Sequence, residues 1–237
     1  MIIGLESGVH NADLQKSATR ILEGGSWKKQ RVVMVIPAAK SINTKVYLSH
    51  CSLAFPPNQG SFKMAAIGME VGEAFSNAFN EILSHPELSQ WEYILTIEHD
   101  NIPQYDSLLK LIEAMEKYQE YSCIGGLYWT KGEGGVPQIW GDPKDVQLNF
   151  RPQIPDPNGG LVECNGTGMG FNLWRMSMFK DERLRKPFFK TLTGIEGEGI
   201  GTQDLYFWGD AKKYGYRCAV HCGCPIGHLD LQTEIVW

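Results

Sequence analysis

At 237 residues, with 43% hydrophobic and 21% charged side chains, the chain has the make-up of a packed globular protein and not of a disordered one. A net charge of −5 excludes a global basic footprint for nucleic acid, although it leaves room for a local basic groove. No apolar run approaches the ~20 residues that span a bilayer.

The chain opens MIIGLESGVHNADLQK, with no basic region followed by a long apolar stretch, so neither a signal peptide nor a transmembrane segment is expected. Its six cysteines are then expected as reduced thiols, which points to the cytoplasm. Leu14, Ala18, Ile21 and Leu22 have helical spacing, which predicts a helix over 11–23 that Gly24-Gly25 ends. RVVMVIP (31–37) is a β-branched run stopped by proline, the pattern of a strand buried on both faces. After a loop at 55–61, a second strand is predicted at 62–69. A helix follows at 70–85, with Val71, Ala74, Phe75, Ala78, Phe79 and Leu83 on one face.

YILTI (93–97) is the next buried strand, and it runs straight into Glu98-His99-Asp100. Strand ends are where α/β proteins place ligand chemistry. A helix is predicted over 105–118, with Asp106 or Ser107 as its cap, and a strand over 122–129. Residues 130–160 are rich in Gly, Pro and Asp and are expected mostly as loop. Residues 164–179 hold a glycine-rich turn and an apolar stretch, 202–216 a helix ending at Gly215, and 217–223 a strand. Alternating strands and helices imply βαβ units and a mainly parallel sheet, with no linker dividing the chain.

Four pieces resemble, in order, the glycosyltransferases of the GT-A fold, especially inverting ones similar to family 2. RVVMVIP resembles their first nucleotide-binding strand, and YILTIEHDNIP the strand leading into the Asp-x-Asp metal motif. NGTGMGFNLWRMSMF resembles the glycine-rich segment before a helix near donor and acceptor. GTQDLYFWGDAKKYGYRCAVHCGCPIGH resembles the Glu-Asp helix, a turn, a strand and a closing Gly-His. The departures are Glu98 for the first Asp, Gln203-Asp204 for Glu-Asp, and Ser76-Asn77 for Arg-Asn. The resemblance implies a three-layer α/β/α fold in one domain over 1–237, with 31–129 binding the nucleotide sugar and 130–237 serving acceptor and catalysis. It further implies a metal-dependent transfer of a sugar from a nucleotide-sugar donor to an acceptor hydroxyl, with inversion. The acceptor, whether glycan, lipid, protein or modified nucleobase, is left open.

The residues carry chemistry that suits this. Glu98 and Asp100 are two apart and can bracket a hard cation, Mn²⁺ or Mg²⁺, that offsets the charge of a departing diphosphate. His228 is a candidate third ligand, its imidazole suiting Mn²⁺, and a surface-loop histidine otherwise. Asp204 heads a helix, where the dipole favours the anion, so it is the candidate general base or else an ordinary first-turn aspartate. Pro37, Ala38, Asn77, Glu98, His99, Asp100, Gly166 and Gly168 are the candidate donor-binding set. Glycines at 166, 168 and 170 allow close backbone approach to a ligand, or simply a tight strand-to-helix turn. Trp129, Trp140 and Trp174 flank these loops as sugar platforms or core.

Three rival readings remain. Cys218, Cys222, Cys224 and His228 are close enough in sequence to hold zinc, although the spacing is not that of a knuckle. A nucleotidyltransferase also needs paired carboxylates, but PAAKSINTK (37–45) lacks the glycine-rich loop it requires. A non-catalytic nucleotide- or carbohydrate-binding domain would use Asp204 only as a cap.

Overall fold

The computed structural model describes residues 30–57, 59–194 and 199–237; the helix predicted over 11–23 lies outside them. In chain order come β1 (Val32–Ala38), α1 (Thr44–Ser52), β2 (Ser61–Ile67), α2 (Val71–Ser84), β3 (Tyr93–Ile97), the short β4 (Asn101–Pro103), α3 (Ser107–Lys117) and β5 (Cys123–Leu127). There follow β6 (Ile139–Trp140), β7 (Leu161–Cys164), β8 (Gly166–Thr167), β9 (Phe171–Arg175), β10 (Leu192–Thr193), β11 (Gly199–Gly201), α4 (Gln203–Ala211) and β12 (Cys218–His228).

The main sheet has eight strands in the order β2-β1-β3-β9-β5-β12-β4, and β7 also pairs with β12. β2, β1 and β3 are parallel to one another, and β5 is parallel to β12. β9 runs against both β3 and β5, while β7 and β4 run against β12. The sheet is therefore mixed but mainly parallel, with β1, β2, β3, β5 and β12 sharing one direction. Short β6–β8 and β10–β11 ladders lie outside it.

Alternation along β1 builds two cores. Val33 and Val35 pack with Phe75 and Phe79 of α2 and with Phe207 and Trp208 of α4. Val32 and Met34 face the other way, onto Leu108, Leu111 and Ile112 of α3. A strand covered on both faces has no polar side to show, which is why RVVMVIP reads as one apolar run. Three layers, α/β/α, result. α2 buries Ala74, Phe75, Ala78, Phe79 and Ile82, a stripe of helical spacing. Each of its phenylalanines contributes about 1.5–3 kcal/mol by leaving water. Phe79 also meets Phe179 edge-on at 4.6 Å, and Trp174 stacks on Trp208 at 5.4 Å.

One expectation is corrected. The segment after the glycines enters no helix. Phe171–Arg175 is the antiparallel strand β9, wedged between β3 and β5 and followed by a 3-10 turn over Met176–Lys180. The reason is a period of two. Phe171 and Leu173 point into the α3 layer and Trp174 into the other. At the start of α3, Asp106 stands at the N-cap with its carboxylate 3.1 Å from Lys110 Nζ. Ser107 Oγ instead accepts from Gln104 N at 2.9 Å.

Candidate active site

β3 stops at Ile97, and Glu98 to Asn101 form a turn closed by Asn101 N–H donating to Glu98 O at 3.2 Å. Glu98 N–H donates to Gly170 O at 3.1 Å, which ties the turn to the start of β9. The chain then enters β4, which pairs antiparallel with the end of β12 so that Asn101 lies opposite His228. This register carries His228, more than a hundred residues away in sequence, to the side of Asp100. β12 reaches this place because its pairing with β5 shifts between His221 and Pro225.

His228 Nδ1 lies 2.7 Å from Trp129 O. A carbonyl only accepts, so Nδ1 carries the proton, and Nε2 is the atom left facing Asp100 Oδ2, at 3.6 Å. In the neutral ring Nε2 is an electron-pair donor; in the imidazolium it pairs with the carboxylate. Lys131 Nζ donates to the same Oδ2 of Asp100. Burial works to push the Asp100 carboxyl up, but His228 and Lys131 together hold it well below the usual carboxylate range.

Glu98 behaves oppositely. Burial first, then the charges of Asp100 and Asp204, push it up to about 8, with Lys131 opposing. Asp204 sits in the first turn of α4, 5% exposed, and its Oδ1 is buried with no hydrogen-bond partner among the described residues. The helix-terminus argument alone implies a depressed carboxyl. Burial wins instead and pushes it above the ordinary aspartate value, against hydrogen bonds from Thr202 and Leu205. Tyr128 completes the group. Its hydroxyl accepts from Gly170 N at 2.8 Å, and its ring meets His228 edge-on at 5.4 Å. Burial and the nearby charges of Glu98, Asp204 and Asp100 push its phenol well up.

The fold thus gathers Glu98, Asp100, Asp204 and His228, and adds Tyr128 and Lys131, which the sequence reading did not select. Lys131 falls in TKGEGG, a turn with no sequence link to Asp100. Tyr128 ends a strand and looks like core. Continuing the β1–β3 register, in which Val35 lies opposite Thr96, puts buried Pro37 and Ala38 level with Glu98 and His99. Asn77 is elsewhere: it lies on the exposed face of α2, with Nδ2 3.5 Å from Met69 Sδ.

The glycines have a local explanation. A Cβ at Gly166 would come within 3.0 Å of Trp208, one at Gly168 within 2.4 Å of Tyr128 Oη, and one at Gly170 within 2.5 Å of Asn101 Oδ1. The protein's own side chains fill that space. Trp174 is core, its Nε1 donating to Thr96 Oγ1 at 3.0 Å. Trp140 donates to Gln138 Oε1 at 3.2 Å, and Trp129 lends its carbonyl to His228.

Among the described residues no group of three or more His, Cys, Asp or Glu side chains is arranged to hold a metal ion. The zinc alternative fails for a plain reason. Cys218 Sγ lies 3.8 Å from Cys164 Sγ in one layer, while Cys224 points to the opposite layer and donates to Ser107 O at 3.6 Å. Of the three expected ligands, Asp100 Oδ2 and His228 Nε2 face each other at 3.6 Å and could hold Mn²⁺ or Mg²⁺, an oxygen–nitrogen donor set that suits Mn²⁺. Glu98, whose carboxyl burial pushes up, does not complete a three-ligand group with them among the described residues.

No family model and no curated protein matches the sequence. Solved structures do match in shape. A197 from STIV superposes with a TM-score of 0.60 at 16% identity, over 87% of this chain and 93% of that one. GalNAc-T7, solved with UDP, GalNAc and Mn²⁺, superposes with a TM-score of 0.56 at 9% identity, over 84% of this chain and 44% of that one. The fold is GT-A-like. At such identities the likeness carries the fold alone, and the chain spans under half of the GalNAc-T7 chain. Among the described residues no helix is long and apolar enough to cross a membrane.

Proposed function

We infer that the protein is a glycosyltransferase that moves a sugar from a nucleotide-diphosphate donor to an acceptor hydroxyl, with inversion at the anomeric carbon. The observation that carries this is the meeting of Asp100, His228, Glu98 and Asp204 at the C-terminal end of β3, in a GT-A-like fold. Strand ends of that kind are the usual ligand crevice of α/β sheets. That GalNAc-T7 was solved with UDP and Mn²⁺ makes a uridine donor the first to try.

Asp100 and His228 would hold a divalent cation, Mn²⁺ or Mg²⁺, with the remaining ligands coming from diphosphate and water, as such ions accept. When bound, it would supply charge stabilisation to the departing diphosphate. Pro37, Ala38, Glu98, His99 and Asp100 form the proposed donor face. The contacts of Asn77, Gly166 and Gly168 are accounted for within the protein itself. Asp204 would take the proton of the acceptor hydroxyl as that oxygen attacks the anomeric carbon and the bond to the diphosphate breaks. Its unpartnered Oδ1 is the atom for that task, and a carboxyl raised by burial is a stronger base than an ordinary aspartate. None of the six cysteines is in a disulfide, which fits a reducing compartment, and a cytoplasmic location is part of the proposal.

The test is incubation with UDP-, GDP-, CMP- and dTDP-sugars, with Mn²⁺ and with EDTA, released nucleotide being quantified. A transferase hydrolyses or transfers at least one donor slowly in a metal-dependent way. A panel left wholly intact would reject the enzyme and leave a binding domain.

A further inference from the structure

Lys131 is built into this site by a turn made for it. Trp129 bridges to Pro137, Thr130 N–H donates to Val136 O at 2.9 Å, and Val136 N–H donates to Thr130 Oγ1 at 2.9 Å. Gly135 N–H then closes the tip onto Gly132 O at 3.1 Å. Gly132 and Gly134 have φ of +95° and +76°, in the left-handed region, and a Cβ at Gly135 would lie 2.3 Å from Thr130 O. Such a tip needs its glycines. It sets the Lys131 side chain, 29% exposed, against Asp100, 12% exposed.

The ammonium therefore lies on the same Asp100 oxygen that faces His228 Nε2. An electron-pair donor and a carboxylate that face each other with a cation alongside form a position a divalent ion would take. Here the protein fills it with its own charge. The two cations cannot both sit against Oδ2, because their mutual repulsion at a few ångströms outweighs either hydrogen bond in a partly buried setting.

We propose that Lys131 is an internal counter-cation that competes with the divalent ion for Asp100, so that metal binds only as the ammonium is displaced. Lys131 thereby sets the metal affinity of the site. This rests on the metal-assisted reading above. Released from Asp100, the ammonium stays on its short turn at the rim, where it meets the anionic diphosphate that arrives with the metal.

Mn²⁺ titrated into the full chain without nucleotide, with free Mn²⁺ read by electron paramagnetic resonance, tests this at fixed ionic strength. Lys131→Met and Lys131→Gln should each bind Mn²⁺ about tenfold more tightly than wild type, since a unit charge beside the ion is removed. Asp100→Asn in the Lys131→Met background should erase the gain. Equal measurable affinities in wild type and both variants would overturn the competition and leave the metal reading intact. Weaker binding in the variants would also overturn it, by making Lys131 a supporter of the site. Absence of binding to every protein at millimolar Mn²⁺ would also overturn the competition, because a site that takes no ion before the diphosphate arrives leaves Lys131 nothing to compete with; the metal reading then stands or falls on the donor assay with Mn²⁺ and EDTA.

Discussion

His228 and Asp100 face each other because Asn101 and His228 are register partners across β4 and β12, which leaves Nε2 3.6 Å from Oδ2. Neither residue's own strand would bring this about. β3 ends in a turn, and β12 reaches β4 only after breaking register with β5.

His228→Ala should weaken Mn²⁺-dependent binding of a nucleoside diphosphate at least tenfold, the lower end of what loss of metal-site support costs. Binding in EDTA should hardly change, because Nδ1 serves only the Trp129 carbonyl. Isothermal calorimetry in both buffers decides it. Equal losses with and without metal would reduce the residue to a support for the strand end.

Asp204→Asn keeps the shape of the first turn of α4 and removes the base. Turnover at saturating donor should fall by a factor of order 10² to 10⁴, the usual worth of a positioned general base. Donor affinity should stay near wild type, since the group acts on the acceptor. The anomeric configuration of the product, read by NMR, completes the test. Near-wild-type turnover in the variant would strip Asp204 of the role, and a retained configuration would discard single displacement.

His50 predicts an acid-sensitive fold. Its Nε2 donates to Asn101 O at 2.9 Å, which leaves Nδ1 buried with no partner among the described residues. Burial, with Lys63 and His99 adding to it and Asp100 opposing, lowers its pKa from 6.5 to about 4. Between those values the unfolded chain binds the extra proton, so stability is complete above about pH 6.5 and falls as pH drops toward 4, by up to about 3 kcal/mol. His50→Gln keeps an N–H donor and cannot titrate. Urea midpoints at pH 7 and pH 5 should differ less in the variant; equal differences would assign the acid sensitivity to other groups.

Gly170→Ala should destabilise by about 1–3 kcal/mol, the range for overpacking a filled interior. The new methyl would meet Asn101 Oδ1 and Tyr128 Cζ at 2.5 Å, and Tyr128 is held by the hydrogen bond from Gly170 N. A melting temperature within a degree of wild type would show that Tyr128 moves freely.

Much of the frame is legible in the sequence itself. YILTI predicts β3 to the residue, because five positions buried on both faces, four of them apolar, are bounded by charged residues just after Ile97. The stripe of α2 and the Gly215 stop, at φ +81°, follow from helical period and left-handed geometry. β9 is not legible because FNLWR, five residues after glycines with apolar side chains at three of them, is too short to separate strand from helix. Asp204 and His228 were legible as types in a pattern, but the balance of burial and charge on each carboxyl was not. For Glu98 and Asp100 that balance depends on burial, on the carboxylates' mutual approach and on His228 and Lys131, whose positions are decided by strand register and a turn.

The pairing shift in β12 makes that strand a measuring rod. From Pro225, opposite Leu127, to His228, opposite Asn101, the distance is a fixed number of steps between two different neighbours. Strand side chains alternate, so one residue inserted or removed in this stretch would turn the imidazole to the far side of the sheet. The residue count of the bulge is what fixes the imidazole, and Gly223 within it is also fixed in type, because a Cβ there would come within 2.9 Å of Gly159 O. Substitution at His221 or Cys222 keeps the count where a single deletion does not, and evolution or design that reshapes this edge must do so in pairs of residues.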